Sequence, residues 1–137
     1  MFLNSLKTRI KGSAAMEFAM IIPTFMILVM GSIEIGWALY IQNALVDASR
    51  LGARMAVTQE ADSTTIQSRV SSYMDNMVNS VEGINVTTVP EPATVERGTP
   101  ITVTVTLPYD SRVAILPAPM ILSDINLQAQ TTMDKEI

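Results

Sequence analysis

An uncharged segment near the amino terminus constrains this chain more than any other feature. Sixteen residues without a charged side chain separate Glu17 from Glu34. As an α-helix they extend about 24 Å, at ~1.5 Å per residue, and apolar neighbours on both sides bring this length to the ~30 Å of a hydrocarbon core. The segment therefore predicts a membrane-spanning helix.

The charges on either side of this segment predict its orientation. Lys7, Arg9 and Lys11 precede it, and the next cation is Arg50. Because cations are retained on the cytoplasmic side, we expect a cytoplasmic amino end and an exported carboxyl-terminal part. Two aromatic residues, Trp37 and Tyr40, stand where an interface anchor is expected at the outer end.

The same layout has an alternative interpretation, a cleaved secretory signal peptide with a basic start and an apolar core. No Ala-x-Ala cleavage site ends the apolar run, and a carboxylate at Glu17 is atypical of such a peptide. We therefore favour a retained helix and keep the removed signal as the alternative.

A carboxylate at the entry to a membrane segment needs a physical explanation, because it is costly to bury in lipid. If the chain is cut between Gly12 and Ser13, Glu17 falls in the first helical turn, four residues from the new amine. The helix dipole favours a carboxylate there, and it can pair with the amine of its own or a neighbouring chain. Alternatively, Glu17 simply extends to the cytoplasmic headgroups.

These residues carry a resemblance. A basic leader, Gly12, the pair Glu17 and Phe18, and a long apolar helix resemble the class III signal of type IV pilins. More narrowly, AMEFAMIIP at 15–23, IEIG at 33–36 and ASRLGAR at 48–54 resemble the TadE-like family. Its members are minor, pilin-like proteins of the Tad (tight adherence, Flp pilus) secretion system. The resemblance is dense over 12–57 and returns weakly in the strand-like segment that closes at 132–136.

The resemblance implies a function in assembly. A prepilin peptidase would cut after Gly12, with Ser13, Glu17 and Phe18 forming the rest of the processing segment. The mature chain would be a minor pilin or pseudopilin in a hetero-oligomer or filament with other pilin-like subunits and the Tad machinery, acting in adhesion and biofilm formation. Its location would be the bacterial inner membrane, single-pass, and also the extracellular pilus. Two alternatives remain: an inner-membrane scaffold subunit that never enters a filament, and a secreted ligand-binding or enzymatic domain.

Composition argues against catalysis. The chain has no cysteine and no histidine, so it lacks the usual general base, the usual nucleophile pairs and nearly all zinc ligand sets. We expect no enzyme activity, no cofactor and no metal. The chain has nine cationic and 13 acidic residues, and removal of the three leader cations leaves six cations. Such an acidic domain is a poor nucleic-acid partner.

The predicted fold class is α+β, with a long amino-terminal helix, a second helix and a small antiparallel sheet of about three strands. We divide the chain into a leader at 1–12, a spanning and emerging helix at 13–57, and a small exported domain at 58–137. Asp62 or Ser63 should cap the second helix. Strands are predicted at 84–89, at 101–107 with Pro108 as its end, and from Ile125, while 109–123 either folds back over the sheet or presents an apolar patch.

Within the span, four residues are candidates for helix packing. Pro23 removes one backbone hydrogen bond and can kink the helix. Ser32 and Gly36 form a small-xxx-small pair that permits close approach of another helix. Glu34, at the outer edge of the core, is expected to face water, and the alternative is a pair with a polar group of a neighbouring subunit.

Three further candidates lie on the emerging, amphipathic part of the helix. Gly52 costs about 1 kcal/mol relative to Ala in a helix interior, which indicates close packing against another element. Arg50 and Arg54 lie off the apolar stripe. They are interpreted as a solvated face, with docking to a partner as the alternative.

Overall fold

The computed structural model describes residues 2–58, 62–78, 83–110, 113–115, 122 and 125–136, with only the backbone described over 2–12. Helix α1 spans Phe2–Ala56 and helix α2 spans Ser63–Val78. Strands β1, β2 and β3 span Asn85–Val89, Pro100–Tyr109 and Ile125–Asp134, with a short 3-10 helix at Pro92–Thr94. The predicted α+β class is confirmed.

The chain divides into two units, residues 1–33 and 34–137. In the first unit, α1 continues through Pro23 without interruption. Its start differs from the prediction, because the helix begins at Phe2 rather than at Ser13. Residues 2–12 of the predicted leader are helical as well, since helical geometry propagates backward from the stable segment at low cost once a nucleus exists.

In the second unit, the sheet has the order β1-β2-β3 and is antiparallel throughout. The central strand β2 alternates strictly, burying every second side chain on one face: Ile101, Val103, Val105, Leu107 and Tyr109. This confirms the alternation read from the sequence.

Pro108 does not end β2 as predicted. The strand continues to Tyr109, which pairs with Ile125. A proline close to a strand end removes only one ladder hydrogen bond, and its fixed φ suits extended backbone. Burial of the Tyr109 ring on the core face favours the extension.

The core lies between this sheet face and the two helices. From α1 it takes Ala38, Ile41, Ala44, Leu45, Ala48, Ala53 and Ala56, and from α2 it takes Ile66, Val70, Met74 and Val78. Val113 is also buried in it. The fold-back predicted for 109–123 falls largely on 111–112, 116–121 and 123–124, outside the described residues, as do 79–82 beyond the end of α2.

Asp62 caps α2, as predicted. Its carboxylate accepts hydrogen bonds from the Thr65 amide at 2.9 Å and from the Thr64 hydroxyl at 2.9 Å. These bonds, those from Thr65 first, lower the pKa of Asp62, because they stabilise its charged form. The cap satisfies an amide that the first turn of the helix would leave unpaired.

At Gly52, α1 closely approaches both α2 and the sheet. A β-carbon built on Gly52 would lie 2.9 Å from Val103 Cγ1 and 3.2 Å from Val70 Cγ2. Both neighbours are β-branched and buried, so they have little room to move. Only a residue without a side chain lets α1 contact β2 and α2 together.

We predict that Gly52→Ala lowers the free energy of unfolding by about 1–3 kcal/mol, because overpacking outweighs the gain in helix propensity. Gly36→Ala is the matched control. Nothing lies within 4 Å of its β-carbon, so it should stabilise the helix by up to about 1 kcal/mol. Denaturant unfolding of the full chain in detergent micelles measures both, and equal effects of the two substitutions would contradict the close approach.

Candidate functional site

The predicted processing segment lies within α1. The Ser13 hydroxyl donates a hydrogen bond to Glu17 Oε1 at 3.3 Å, across one helical turn. Both residues are exposed, and the Phe18 side chain is 66% exposed. The Glu17 carboxylate therefore lies on the helix face of Ser13, within reach of an amine that a cut after Gly12 would create there.

Over residues 13–33 the apolar side chains of α1 point outward. The exposed large side chains are Met16, Phe18, Met20, Ile21, Ile22, Phe25, Met26, Ile27, Leu28, Met30 and Ile33. By length and composition this helix is able to cross a membrane. A contiguous apolar surface of this extent needs lipid or a protein partner to cover it.

Ser32 and Gly36 leave a small-residue face on α1. The Ser32 hydroxyl donates to the Leu28 carbonyl at 2.8 Å, so its polar atom is satisfied inside its own helix. No atom approaches the position of a β-carbon on Gly36. Gly36 therefore leaves open space beside its own turn of α1, and packing of another helix against the small-xxx-small pair stays a prediction.

The expectation that Glu34 faces water is wrong. Its side chain is 0% exposed, and neither carboxylate oxygen has a hydrogen-bond partner among the described residues. The hydroxyl of Tyr109, 1% exposed, likewise has no partner within the described part of the chain. Burial, and after it the negative charge of Glu34, raises the pKa of Tyr109, because both disfavour a phenolate. The folded domain thus encloses two ionisable side chains together.

The physical reason for the error is that Tyr109 is remote in sequence. Helical spacing showed where Glu34 lies along α1, but its environment comes from the end of β2. One signal was available. The buried residues of β2 from Ile101 to Leu107 alternate with less buried ones, and Tyr109 continues this alternation. This signal was missed because Pro108 was taken as the end of the strand.

Trp37 and Tyr40 connect α1 to two other segments. The Trp37 indole donates to the Val113 carbonyl at 2.7 Å, and the Tyr40 hydroxyl donates to the Met77 carbonyl at 3.3 Å. The two rings stack with centroids 5.2 Å apart. Both polar atoms are thereby used within the protein, and the remaining ring surface is apolar.

Arg50 and Arg54 are exposed on α1. Arg50 Nη1 lies 3.5 Å from Asp47 Oδ1, one turn away on the same helix. An exposed pair of this kind contributes little to stability, so the arrangement matches the solvated face that the sequence predicted. Docking of these arginines to a partner stays a prediction.

The structure brings together few groups suited to chemistry. Among the described residues, no cluster of three or more His, Cys, Asp or Glu side chains is placed to hold a metal ion. Glu91 accepts hydrogen bonds from the Ser63 amide and hydroxyl, and Lys135 Nζ donates to the Pro92 and Val95 carbonyls. These polar contacts close loops of the domain.

We predict that Glu34→Gln raises the free energy of unfolding near neutral pH by at least about 1 kcal/mol, because it keeps the shape and removes an unpaired buried charge. Glu17→Gln, at an exposed position, is the control and should change stability by less than about 0.5 kcal/mol. Thermal unfolding of the full chain in detergent measures both. A loss of stability in Glu34→Gln would mean that the carboxylate has a stabilising partner.

We also predict a loss of stability at alkaline pH that depends on Tyr109. Since its pKa lies above the ordinary value of 10.0, the folded chain retains the phenol proton where the unfolded chain has lost it. Stability is therefore full below about pH 10 and falls as pH rises through the folded pKa, by at most ~1.4 kcal/mol per pH unit. Tyr109→Phe should flatten this decline, whereas Tyr73→Phe should not. Identical alkaline profiles for both variants would contradict the assignment.

The similarity of this chain to a known family lies within α1. Residues 12–54 match the family model described as TadE-like protein. No match emerged among curated proteins or solved structures. The matched range contains Gly12, the exposed apolar surface, the buried Glu34 and the close approach at Gly52, and it ends at Arg54. Residues 12–54 of α1 are therefore similar to the TadE-like family, the resemblance that the sequence predicted.

Proposed function

We propose that this chain is a Tad-associated minor pilin or pseudopilin, made as a precursor and cut after Gly12 by a prepilin peptidase. The observation that supports this most strongly is the exposed apolar face over 13–33, which lies inside the TadE-like segment. A folded α+β unit follows on the same chain. The chain then needs one membrane crossing, with a cytoplasmic amino end and an exported domain.

Processing and assembly use the same turn of helix in this proposal. Cleavage frees the amine of Ser13, and the Glu17 carboxylate, 3.3 Å from the Ser13 hydroxyl, is positioned on its face. When a subunit joins a filament, Glu17 neutralises the amine of a neighbouring chain, and the attraction is strong because apolar groups surround it. Phe18 and the apolar residues after it supply the contact surface.

The hydrophobic effect contributes little to the free energy of assembly. The apolar side chains of α1 move from lipid to a bundle of similar helices, and both environments are apolar, so close packing decides the association. The open position at Gly36 suits such packing. The protein therefore acts through assembly with pilin-like subunits and the Tad machinery, in adhesion and biofilm formation, without catalysis or nucleic-acid binding.

The test of processing is the intact mass of the protein from its native membrane. We expect loss of the 12-residue leader in cells with the prepilin peptidase and its retention in cells without it. Gly12→Leu should block the cut, whereas Gly36→Leu, the same exchange at an open position of α1, should leave it unchanged. An uncut wild-type chain, or a cut near residue 36, would overturn the proposal.

A shearing experiment separates a filament subunit from a membrane scaffold. A minor pilin should appear in the sheared pilus fraction, and Glu17→Gln should reduce its amount there while the cut after Gly12 persists. Complete retention of the processed wild-type chain in the inner membrane would instead assign it to the scaffold of the secretion machine.

A further inference from the structure

One end of the folded unit, the end at which Glu34 is enclosed, collects the termini of several elements. Tyr109 is the last residue of β2 and pairs with Ile125, the first residue of β3. The Trp37 indole binds the Val113 carbonyl, and the Tyr40 hydroxyl binds the carbonyl of Met77 near the end of α2. These pairings place α1, α2, β3 and the segment 113–115 at one end of the sheet.

This end exposes large apolar side chains. Five of them, each 41–59% exposed, are Leu39, Tyr40, Met77, Ile115 and Ile125, and we call this set the apolar end. Tyr40 and Met77 adjoin directly, with the Tyr40 hydroxyl 4.0 Å from Met77 Sδ. Isolated exposed apolar residues are ordinary, but this set gathers where four separate segments meet.

The opposite end of the sheet is charged. β2 begins there at Pro100, which pairs with Asp134, about 30 Å from Tyr109 at ~3.3 Å per residue. The exposed charged residues on that side are Glu91, Glu96, Arg97, Asp134 and Glu136. Charge is not confined to that side, since Asp75 is exposed two residues before Met77 and the half-buried Asp110 follows Tyr109.

We infer that the apolar end rests on a lipid surface, the outer leaflet of the membrane that α1 crosses; this inference rests on the proposed function. Tyr40 lies six residues beyond Glu34, where the uncharged run stops, which is about 9 Å of helix. That distance corresponds to the interfacial zone, where Trp and Tyr rings partition and apolar side chains enter by about 5–10 Å.

The chemistry of the apolar end favours lipid through apolar and aromatic contact. The polar atoms of Trp37 and Tyr40 are already bound inside the protein. Glu34, at the same end, is enclosed by the domain, so its carboxylate does not meet the acyl chains. The contact therefore requires no anionic headgroup.

The test uses the cysteine-free sequence, in which one introduced thiol can be labelled uniquely. Met77→Cys, Ile115→Cys and Ile125→Cys carry an environment-sensitive fluorophore in the full chain, reconstituted in phosphatidylcholine vesicles at high dilution. Val89→Cys, at an exposed apolar position at the other end of β1, is the matched control. Lipids bearing a nitroxide near the headgroup should quench the three probes at the apolar end and leave the Val89 probe unquenched.

A probe at Leu28→Cys, in the exposed apolar segment, distinguishes failure of the inference from failure of the proposed function. Quenching at Leu28 without quenching at the apolar end would overturn the inference and leave the span intact. Absence of quenching at Leu28 would overturn the membrane crossing itself. Shielding of the apolar end only after Tad membrane proteins are added would assign it to a protein partner and contradict the lipid contact.

Discussion

A single helix has to present apolar side chains outward along its first part and inward along its last part. Over 13–33 the large side chains of α1 are exposed, whereas from Ala38 to Ala56 its apolar stripe forms one wall of the core. The rest of the fold follows from this double requirement. α2 and the sheet cover the second part, and the exposed apolar side chains of the first part need lipid or other helices to cover them.

Glu34 marks the change between the two environments. Its carboxylate is the first charge after the uncharged run, yet the domain encloses it with the hydroxyl of Tyr109. Enclosure keeps a charge away from the hydrocarbon region, where an exposed carboxylate is costly. It also buries the polar atoms of Glu34 and Tyr109 without hydrogen-bond partners among the described residues, which lowers the stability of the domain. The close packing at Gly52, farther along the same helix, holds α1 against Val103 and Val70.

Features encoded locally were predictable from the sequence. The apolar run, the cap at Asp62 and the alternation of β2 each depend on a few neighbouring residues, and each matches the structure. Features that depend on residues distant in the sequence were not predictable. The burial of Glu34 requires Tyr109 from the far end of β2, and the extension of β2 past Pro108 requires β3 as a partner. α1 begins at Phe2 rather than at Ser13, because neither the glycine nor the cations before Ser13 stop a helix that continues from the segment after them.

The candidate site likewise combines features encoded locally with features that depend on residues distant in the sequence. The order of Gly12, Ser13, Glu17 and Phe18 is a local pattern, and the structure adds the hydrogen bond between Ser13 and Glu17. The apolar end of the domain was beyond sequence reasoning, because it joins residues from α1, α2, β3 and the segment 113–115. Two sequence features pointed to it, the expected aromatic anchors Trp37 and Tyr40 and the alternative of an apolar patch within 109–123.

The proposed function depends on α1 crossing the inner membrane once and leaving the domain outside. Labelling of Glu96→Cys in spheroplasts with a membrane-impermeant thiol reagent tests this topology, since the residue is exposed and the chain has no other cysteine. We predict full labelling before the membrane is broken, with the protein recovered in the membrane fraction. Labelling only after the membrane is broken would place the domain in the cytoplasm and contradict this topology.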